Sequence, residues 1–445
     1  MELLKIGVVS LGCDKNRIDS EILLNQLSGN YTLVTNEKEA DVIIVNTCGF
    51  IESAKEESIN TILEMAEYKT QGVCKALVVT GCLSQRYGKE LAILIPEIDI
   101  LLGVNEYKRF NNILEEYFNS SEKIISCDFS DSNINEGNRI LTTGNFTAYL
   151  RISEGCDNFC TYCIIPKIRG KYRSRDIESI CSEAEKLVGS GVKEIILIAQ
   201  DTTRYGIDIY HEKMLPKLLK KLSEISNLKW IRLLYCYPEE ITEELIVEIK
   251  NNDKICKYID IPVQHISNNI LKAMGRRGSK EQILKIISKL KENIPNITIR
   301  TTLIVGFPGE TEEDFLELYA FVRDNRFEKL GVFKYSQEED TPAANFENQI
   351  DEDLKEKRFD TLMKLQQSNS KEINLNKVNK IYECIICSKT NNTYTARSFE
   401  MSPDIDGSIK FISQNDYNLG AFVCIKITKA HEYDLVGVVY NESCK

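Results

Sequence analysis

One pattern recurs three times in residues 1–120: a short apolar run followed by a helix-like periodic segment. The apolar runs at residues 6–9, 42–45 and 76–79 are continuous and rich in β-branched side chains. Runs of this kind are typical of parallel strands that are buried on both faces. Alternation of such strands with helices predicts a doubly wound α/β domain over residues 1–120.

The alternation resumes after a polar stretch. Residues 121–141 are rich in Ser, Asp, Asn and Gly, which predicts a linker. Between residues 142 and 372, helical stretches separate six strand candidates, at 148–152, 194–199, 230–234, 258–261, 297–305 and 330–335. Six βα units with right-handed crossovers predict a curled, partial (β/α)6 barrel whose ligands bind at the carboxyl ends of the strands.

The last segment, residues 373–445, has a different pattern. Five short alternating runs follow one another, at 381–386, 393–396, 408–412, 422–428 and 435–440. Short strands at this spacing predict a small antiparallel β-barrel. The chain is therefore expected to be a multidomain α/β protein with three folded units.

Composition narrows the range of partners. The chain of 445 residues carries a formal net charge of −11, and residues 373–445 hold eight Lys and Arg against eight Asp and Glu. Such charges give no general attraction to phosphate backbones, so strong nucleic-acid binding is not expected. We see no secretory signal and no apolar run long enough for a membrane helix, which predicts a cytoplasmic protein without membrane contact.

Three cysteines after the first strand of the barrel carry the clearest chemical signal. Cys156, Cys160 and Cys163 form a C-x3-C-x2-C run, and their thiolates could hold three irons of a [4Fe–4S] cluster while the fourth iron stays open. Two alternatives involve no cluster. A structural zinc site would need a fourth ligand nearby, and the three cysteines could also lie on one buried face of a helix. Asp157 and Asn158 favour a turn instead, so we prefer the open cluster.

A second set of cysteines is spread along the first domain. Cys13, Cys48 and Cys82 each come directly after one of its three predicted strands. Ligands of open α/β sheets bind beyond the carboxyl ends of the strands, so the three thiols are expected to converge. The alternative is that they are merely buried, as cysteines often are.

The C-x3-C-x-aromatic-C run resembles the signature of the radical S-adenosylmethionine (SAM) enzymes. The resemblance implies that Cys156, Cys160 and Cys163 hold a cluster whose open iron binds SAM, and that Tyr162 lies beside the adenine. It also implies SAM contacts from polar residues at the strand ends of the barrel. The candidates are Gln200, Arg232 and Gln264, each of which could instead be a helix cap or a structural pair.

The whole chain resembles the methylthiotransferases within that superfamily. The similarity rests on the runs SLGCDKN at residues 10–16 and NTCGFIESA at residues 46–54. It implies a second, auxiliary [4Fe–4S] cluster on Cys13, Cys48 and Cys82, and it implies that the C-terminal barrel is a TRAM domain. An electron donor such as flavodoxin or ferredoxin is implied by the low potentials of such clusters.

Within the family the chain is most similar to the branch that attaches a methylthio group to the β-carbon of an aspartate of ribosomal protein uS12. The alternative is the branch that modifies an adenosine of tRNA, which would share both clusters and all three domains. A protein of another class, a non-catalytic iron–sulfur scaffold, would need neither an open iron nor SAM contacts.

Five cations follow the cysteine loop within nine residues. They are Lys167, Arg169, Lys171, Arg173 and Arg175. Because arginine binds carboxylates in a bidentate manner, Arg173 and Arg175 are candidates for a clamp on the carboxylate of SAM or of an acidic substrate. The alternative is an ordinary solvated face.

Overall fold

The computed structural model of the chain describes residues 3–128 and 134–440. Residues 129–133 of the predicted linker and residues 441–445 of the predicted last domain lie outside the described residues. Within the described ranges, no helix is both long enough and apolar enough to cross a membrane.

The N-terminal unit is a six-stranded parallel sheet with helices on both faces. Its strands are ordered β2-β1-β3-β4-β5-β6, so the direction of winding changes between β1 and β3. The strands are β1 (Lys5–Ser10), β2 (Thr32–Val34), β3 (Val42–Thr47), β4 (Ala76–Gly81), β5 (Ile100–Leu102) and β6 (Ile124–Ser126). The helices are α1 (Asp14–Leu27), α2 (Glu52–Gln71), α3 (Cys82–Leu94) and α4 (Phe110–Ser120).

The doubly wound fold predicted for this unit is confirmed, with twice the number of strands that the apolar runs indicated. The central strands β3 and β4 are buried at every position, and separate apolar cores cover the two faces of the sheet. The three strands that the pattern missed have only three residues each, which is too short for a periodic signal. The last of them, β6, lies within residues 121–141 and pairs with β5.

The central unit is an open barrel of six parallel strands that follow one another in chain order. The strands are β7 (Thr147–Arg151), β10 (Glu194–Ile198), β11 (Trp230–Leu233), β12 (Ile255–Gln264), β13 (Thr298–Val305) and β14 (Lys329–Lys334). Two short strands, β8 (Ser153–Glu154) and β9 (Arg173–Ser174), pair at the base of the cysteine loop.

Helices cover the outside of this barrel. They are α5 (Ile165–Arg169), α6 (Ile177–Gly189), α7 (Leu215–Ser223), α8 (Glu243–Asn251), α9 (Asn268–Ala273), α10 (Lys280–Asn293), α11 (Glu312–Asn325) and α12 (Glu352–Leu375). Capping boxes, Ser279 with Gln282 and Thr311 with Asp314, start α10 and α11. The largest apolar core lies between helices and strands, and a smaller one fills the barrel.

The C-terminal unit is a closed antiparallel barrel with a single parallel pairing, β17 with β19. Its strands are β15 (Ile381–Thr390), β16 (Thr393–Ser398), β17 (Ile409–Ile412), β18 (Phe422–Ala430) and β19 (Leu435–Val439). All five predicted strands are therefore present. This unit packs on the amino-terminal end of the central barrel, where Arg397 reaches the buried Glu194.

Candidate active site

Cys13, Cys48 and Cys82 meet at one edge of the first sheet. Cys13 lies between β1 and α1, Cys48 follows β3, and Cys82 is the first residue of α3. Because β1, β3 and β4 are adjacent, the three thiols lie at neighbouring carboxyl ends. The change of winding direction between β1 and β3 makes this edge the position at which ligands bind in such sheets.

Glycines allow the strand ends to approach so closely. A Cβ atom on Gly12 would lie 2.8 Å from Cβ of Cys48 and 3.2 Å from its Sγ, and Gly12 has a φ of +84°. At Gly81, with a φ of +100°, a Cβ would lie 2.5 Å from the carbonyl oxygen of Thr47. Larger residues would push the cysteine loops apart at both places.

The thiols of this group affect one another. Burial, together with the neighbouring Cys82 and Cys13, raises the pKa of Cys48 to about 12. Burial also raises the pKa of Cys82, which the adjacent Arg169 guanidinium lowers in part. A bound iron cluster would offset this penalty, because a coordinating thiol releases its proton and the metal stabilises the thiolate charge.

Asn16 and Arg169 link this group to the central barrel. The Asn16 amide donates hydrogen bonds to the carbonyl oxygens of Leu11 at 3.2 Å and Thr47 at 2.8 Å. Its Oδ1 accepts from Nη2 of Arg169 at 2.7 Å, and the same Nη2 lies 3.4 Å from Sγ of Cys82. Arg169 belongs to α5, directly after the second cysteine loop, so the chain that continues this loop reaches Cys82 of the first group.

The second cysteine loop lies at the carboxyl end of β7. The Cys156 amide donates to the carbonyl oxygen of Gly170 at 3.0 Å, and the Cys163 amide donates to that of Cys160 at 3.0 Å. Cys156 and Cys160 are buried and Cys163 is half-buried. Burial, together with the nearby Asp201 and Cys160, raises the pKa of Cys156 to about 11.

Both cysteine groups have the donor set of a [4Fe–4S] cluster, with three cysteine sulfurs each. Within residues 3–128 and 134–440, no three His, Cys, Asp or Glu side chains lie close enough to share one ion. In a four-iron cluster each thiolate binds a separate iron, so three ligands can stand further apart. Cysteine thiolates are also the ligands that such clusters take.

Gln200 and Gln264 lie at carboxyl ends of barrel strands and each has a buried carbonyl oxygen without a partner among the described residues. The Gln200 amide donates to Oε1 of Glu154 at 2.7 Å, which leaves its own Oε1 free. Gln264 ends β12 with a φ of +70°. Buried acceptors without a donor are costly, and a ligand with N–H or O–H groups would satisfy them. Their assignment as SAM contacts stays a prediction.

Tyr162 lies in a different wall of the barrel mouth. Its ring packs against an apolar cluster that includes Met274, Phe307 and Tyr335. The neighbouring Thr161 ties the loop in place, because its amide donates to the carbonyl oxygen of Met274 at 2.9 Å. An aromatic wall of this kind suits a flat heterocycle, and the adenine contact of Tyr162 also stays a prediction.

The structure does not bring Arg232 into this group. Its guanidinium is fully buried inside the barrel and points to the amino-terminal end, where Nε lies 2.9 Å from Oε1 of Glu194. Nη1 donates to the carbonyl oxygen of Phe399 in the C-terminal barrel at 2.6 Å. Arg232 lies within β11, opposite Ile196 of β10, rather than beyond the carboxyl end of the strand. An inward side chain there can point to either end of the barrel.

The predicted arginine clamp is also placed elsewhere. Arg175 is buried and pairs with Glu136 at 2.9 Å and with Glu183 at 2.7 Å, beside α6. Arg173 donates to the carbonyl oxygens of Lys171 and Arg169. The guanidinium of Arg175 is thus occupied by carboxylates of the protein, and it does not reach towards the cysteines.

Sequence reasoning missed a buried ionic network between the two cysteine groups. Asp19 of α1 accepts from Arg151 at 2.9 Å and from Arg169 at 2.8 Å, and both arginines also pair with Glu154. The four side chains are almost completely buried. Their partners come from two domains, so no local spacing could indicate the network.

Three family models match the chain in succession. The model described as "Uncharacterized protein family UPF0004" matches residues 5–103, "Radical SAM superfamily" matches residues 150–322, and "TRAM domain" matches residues 378–439. Among solved structures, the radical S-adenosylmethionine methyltransferase TsrM from Kitasatospora setae has a TM-score of 0.56 at 13% identity, covering 77% of this chain and 74% of that one. This likeness concerns the fold alone.

The barrel, the cysteine loop and the superfamily match together define a radical SAM enzyme. Curated relatives narrow the family further. A ribosomal protein uS12 methylthiotransferase RimO from Clostridium botulinum is 61% identical and one from Clostridium tetani is 58% identical, each over the full length of both chains. The chain belongs to the ribosomal protein uS12 methylthiotransferase family.

Proposed function

We propose that this protein transfers a methylthio group to the β-carbon of an aspartate in ribosomal protein uS12. The observation that carries the proposal is that the chain following the loop of Cys156, Cys160 and Cys163 reaches the other cysteine group, where Arg169 lies 3.4 Å from Sγ of Cys82. Two cofactor sites at one barrel mouth suit a reaction that must both activate a carbon and deliver sulfur to it.

The cysteines would hold the cofactors, and neighbouring residues would orient SAM. When bound, the cluster on Cys156, Cys160 and Cys163 supplies with SAM a radical that removes hydrogen, and the cluster on Cys13, Cys48 and Cys82 supplies sulfur. Gln200 and Gln264 would accept hydrogen bonds from SAM with their unpartnered oxygens. Tyr162 would pack against the adenine.

The two domains that form the mouth would keep water from the reacting groups. α1 packs against β7, so the N-terminal unit covers the end of the barrel at which the cysteine loop lies. The buried network of Asp19, Arg151, Glu154 and Arg169 holds this arrangement with charged hydrogen bonds. Exclusion of water protects reactive intermediates from side reactions.

The remaining partners follow from the chemistry of the site. A cluster of low potential needs an external electron donor, for which we propose a flavodoxin or ferredoxin. The C-terminal barrel uses several of its charges internally, as in the buried pair of Lys377 and Glu400 at 2.6 Å. We therefore propose that it binds the ribosome through protein rather than through strong contacts to RNA, and that the enzyme acts in the cytoplasm.

The test is a reaction with both candidate substrates in one vessel. The purified full chain, with both clusters reconstituted, would receive SAM, a reductant, small ribosomal subunits that lack the modification, and tRNA that lacks methylthio groups. We expect mass spectrometry to find the methylthio group on an aspartate of uS12 only. Modification of tRNA adenosine alone would contradict the proposed substrate, and failure to form 5′-deoxyadenosine would favour a non-catalytic scaffold.

A further inference from the structure

Lys15 places a buried ammonium group between the two cysteine groups. It lies in the first turn of α1, two residues after Cys13, and only 8% of its surface is exposed. Its Nζ is 3.1 Å from the centre of the Tyr235 ring, beyond the carboxyl end of β11. The side chain thus extends from the N-terminal unit into the mouth of the central barrel.

This ammonium has no carboxylate partner among residues 3–128 and 134–440. Glu154 and Asp260 are the acidic groups of the barrel whose charges act on it, but neither forms a salt bridge with it. Both carboxylates are committed to arginines: Glu154 to Arg151 at 2.8 Å, and Asp260 to Arg300 at 2.8 Å. A buried cation that forms no salt bridge is costly, and an incoming anion would offset that cost.

We propose that Lys15 recognises the side-chain carboxylate of the substrate aspartate. This inference rests on the proposed function. The β-carbon that receives the methylthio group is bonded directly to the carboxyl carbon, so an ion pair at Lys15 would hold the reacting carbon between the two cysteine groups. Lys15 acts here as a positioning and specificity residue, because a neutral asparagine side chain would leave its charge unpaired.

A second buried cation, Arg276, lies near the other group of cysteines. Arg276 lies over the Tyr237 ring at 4.1 Å, and the Tyr237 hydroxyl is 3.8 Å from Sγ of Cys160. Arg276 therefore lies on the side of the SAM-binding cysteines, whereas Lys15 lies beside Cys13. The carboxylate of SAM is the other anion that Lys15 could meet, and the experiment below distinguishes the two.

The experiment compares uS12-derived peptides that carry aspartate or asparagine at the modified position. Reconstituted full-length wild type and Lys15→Met would be assayed for kcat/KM on both peptides, for SAM affinity, and for iron content. Truncation of one partner of a buried charge pair weakens binding by about 30-fold or more. We expect kcat/KM of Lys15→Met on the aspartate peptide to fall by about that factor, mainly because KM rises. We also expect this variant to lose the preference for aspartate over asparagine.

The controls separate recognition from folding. Lys15→Met should keep both clusters and the affinity for SAM, and Lys15→Arg should retain a preference for aspartate because it keeps the charge. Lys75→Met, at an exposed lysine of the same domain, should behave as wild type. If Lys15→Met binds less iron than the wild type, Lys15→Arg and Lys15→Gln replace it in the comparison. Lys15→Arg, which keeps the charge, should then prefer the aspartate peptide, and Lys15→Gln should not.

Two results would overturn the inference. An unchanged preference for aspartate in Lys15→Met, or in Lys15→Gln, would show that another group recognises the carboxylate. Weakened SAM binding with an unchanged peptide preference would assign Lys15 to the carboxylate of SAM. Failure of the wild type to modify any uS12 peptide is a different outcome, because it would overturn the proposed function itself and the Lys15 inference with it.

Discussion

At the scale of single residues, Arg169 connects the two halves of the site. It belongs to the run of cations that follows the cysteine loop, yet it is buried and holds Asp19, Glu154, Asn16 and Cys82 at once. A planar guanidinium with five donors can do this, whereas a lysine ammonium has three donors on one atom. The residue therefore both fixes the domains and lies against an expected cluster ligand.

Replacing Arg169 by glutamine should destabilise the protein strongly. The change leaves Asp19 buried with one cation fewer, and breaking a buried ion pair from one side costs about 3–5 kcal/mol. The thermal unfolding midpoint of the purified full chain would measure the effect. Arg323→Gln is the matched control, because Arg323 pairs with Asp324 at an exposed position where an ion pair contributes little to stability. Equal midpoints for the two variants would contradict this account of Arg169.

Cys13→Ala should separate the two cluster sites. We expect the reconstituted variant to hold about half the iron of the wild type, since each [4Fe–4S] cluster has the same iron content. It should still form 5′-deoxyadenosine from SAM, because Cys156, Cys160 and Cys163 are untouched, but it should make no methylthio product. Iron analysis and chromatography of the SAM products measure both. A variant that still transfers the methylthio group would refute the assignment of Cys13.

The cysteine positions were predictable from the sequence, and the side-chain directions were not. A cysteine directly after each of three parallel strands must lie at one edge of the sheet, whatever the details of the loops. Arg232 shows the limit, because it lies within β11 and its guanidinium points to the amino-terminal end of the barrel, where it pairs with Glu194. Lys15 and Asp19 gained their roles from a second domain, which local patterns do not reveal.

At the scale of elements, β10 carries the contact between the central barrel and the C-terminal barrel. Glu194, its first residue, is fully buried and holds Arg232 of β11 and Arg397 of β16. Burial raises the pKa of Glu194, but Arg397 and Arg232 outweigh burial and lower the pKa to about 2. A charged triad thus joins two domains where an apolar contact would be the common solution.

The ion pairs of Glu194 should make the free energy of unfolding depend on pH in the acidic range. Its pKa is lower in the folded state than the ordinary 4.5, so the stabilisation is complete above about pH 4.5 and is lost as the pH falls towards 2. This lowering of the Glu194 pKa corresponds to about 3 kcal/mol in the free energy of unfolding at neutral pH. Glu194→Gln should lower the unfolding midpoint at pH 7 and should lack this part of the acid sensitivity.

Circular dichroism melts at several pH values would test this. Glu178→Gln is a suitable control, since Glu178 forms an exposed pair with Lys221. If Glu194→Gln and the wild type lose stability in parallel between pH 5 and pH 3, the carboxylate of Glu194 does not carry the contact.

Element prediction succeeded where the apolar runs were long. All six barrel strands and all five strands of the C-terminal unit appeared at the expected places, within a few residues at their ends. The missed strands, Thr32–Val34, Ile100–Leu102 and Ile124–Ser126, are too short to show a period of two. They join the sheet because their neighbours in space provide the pairing, which is information that the local sequence does not contain.

At the scale of the whole molecule, three units are arranged around one barrel. The N-terminal unit covers the carboxyl ends of the barrel strands and brings Cys13, Cys48 and Cys82 to the mouth, while the C-terminal barrel packs on the amino ends. The C-terminal barrel also reaches the N-terminal unit, because Asp404 pairs with Arg17 of α1 at 3.3 Å. All three units are therefore in contact with one another.

The central claim is that uS12, and not tRNA, receives the methylthio group. Mass spectrometry of cells with and without this protein tests it most directly, by scoring the uS12 peptide and the nucleosides of hydrolysed tRNA from the same cultures. We predict that only the methylthio group on the uS12 aspartate disappears, and that it returns when the wild-type chain is supplied. Loss of a methylthio-adenosine with an unchanged uS12 peptide would contradict the account.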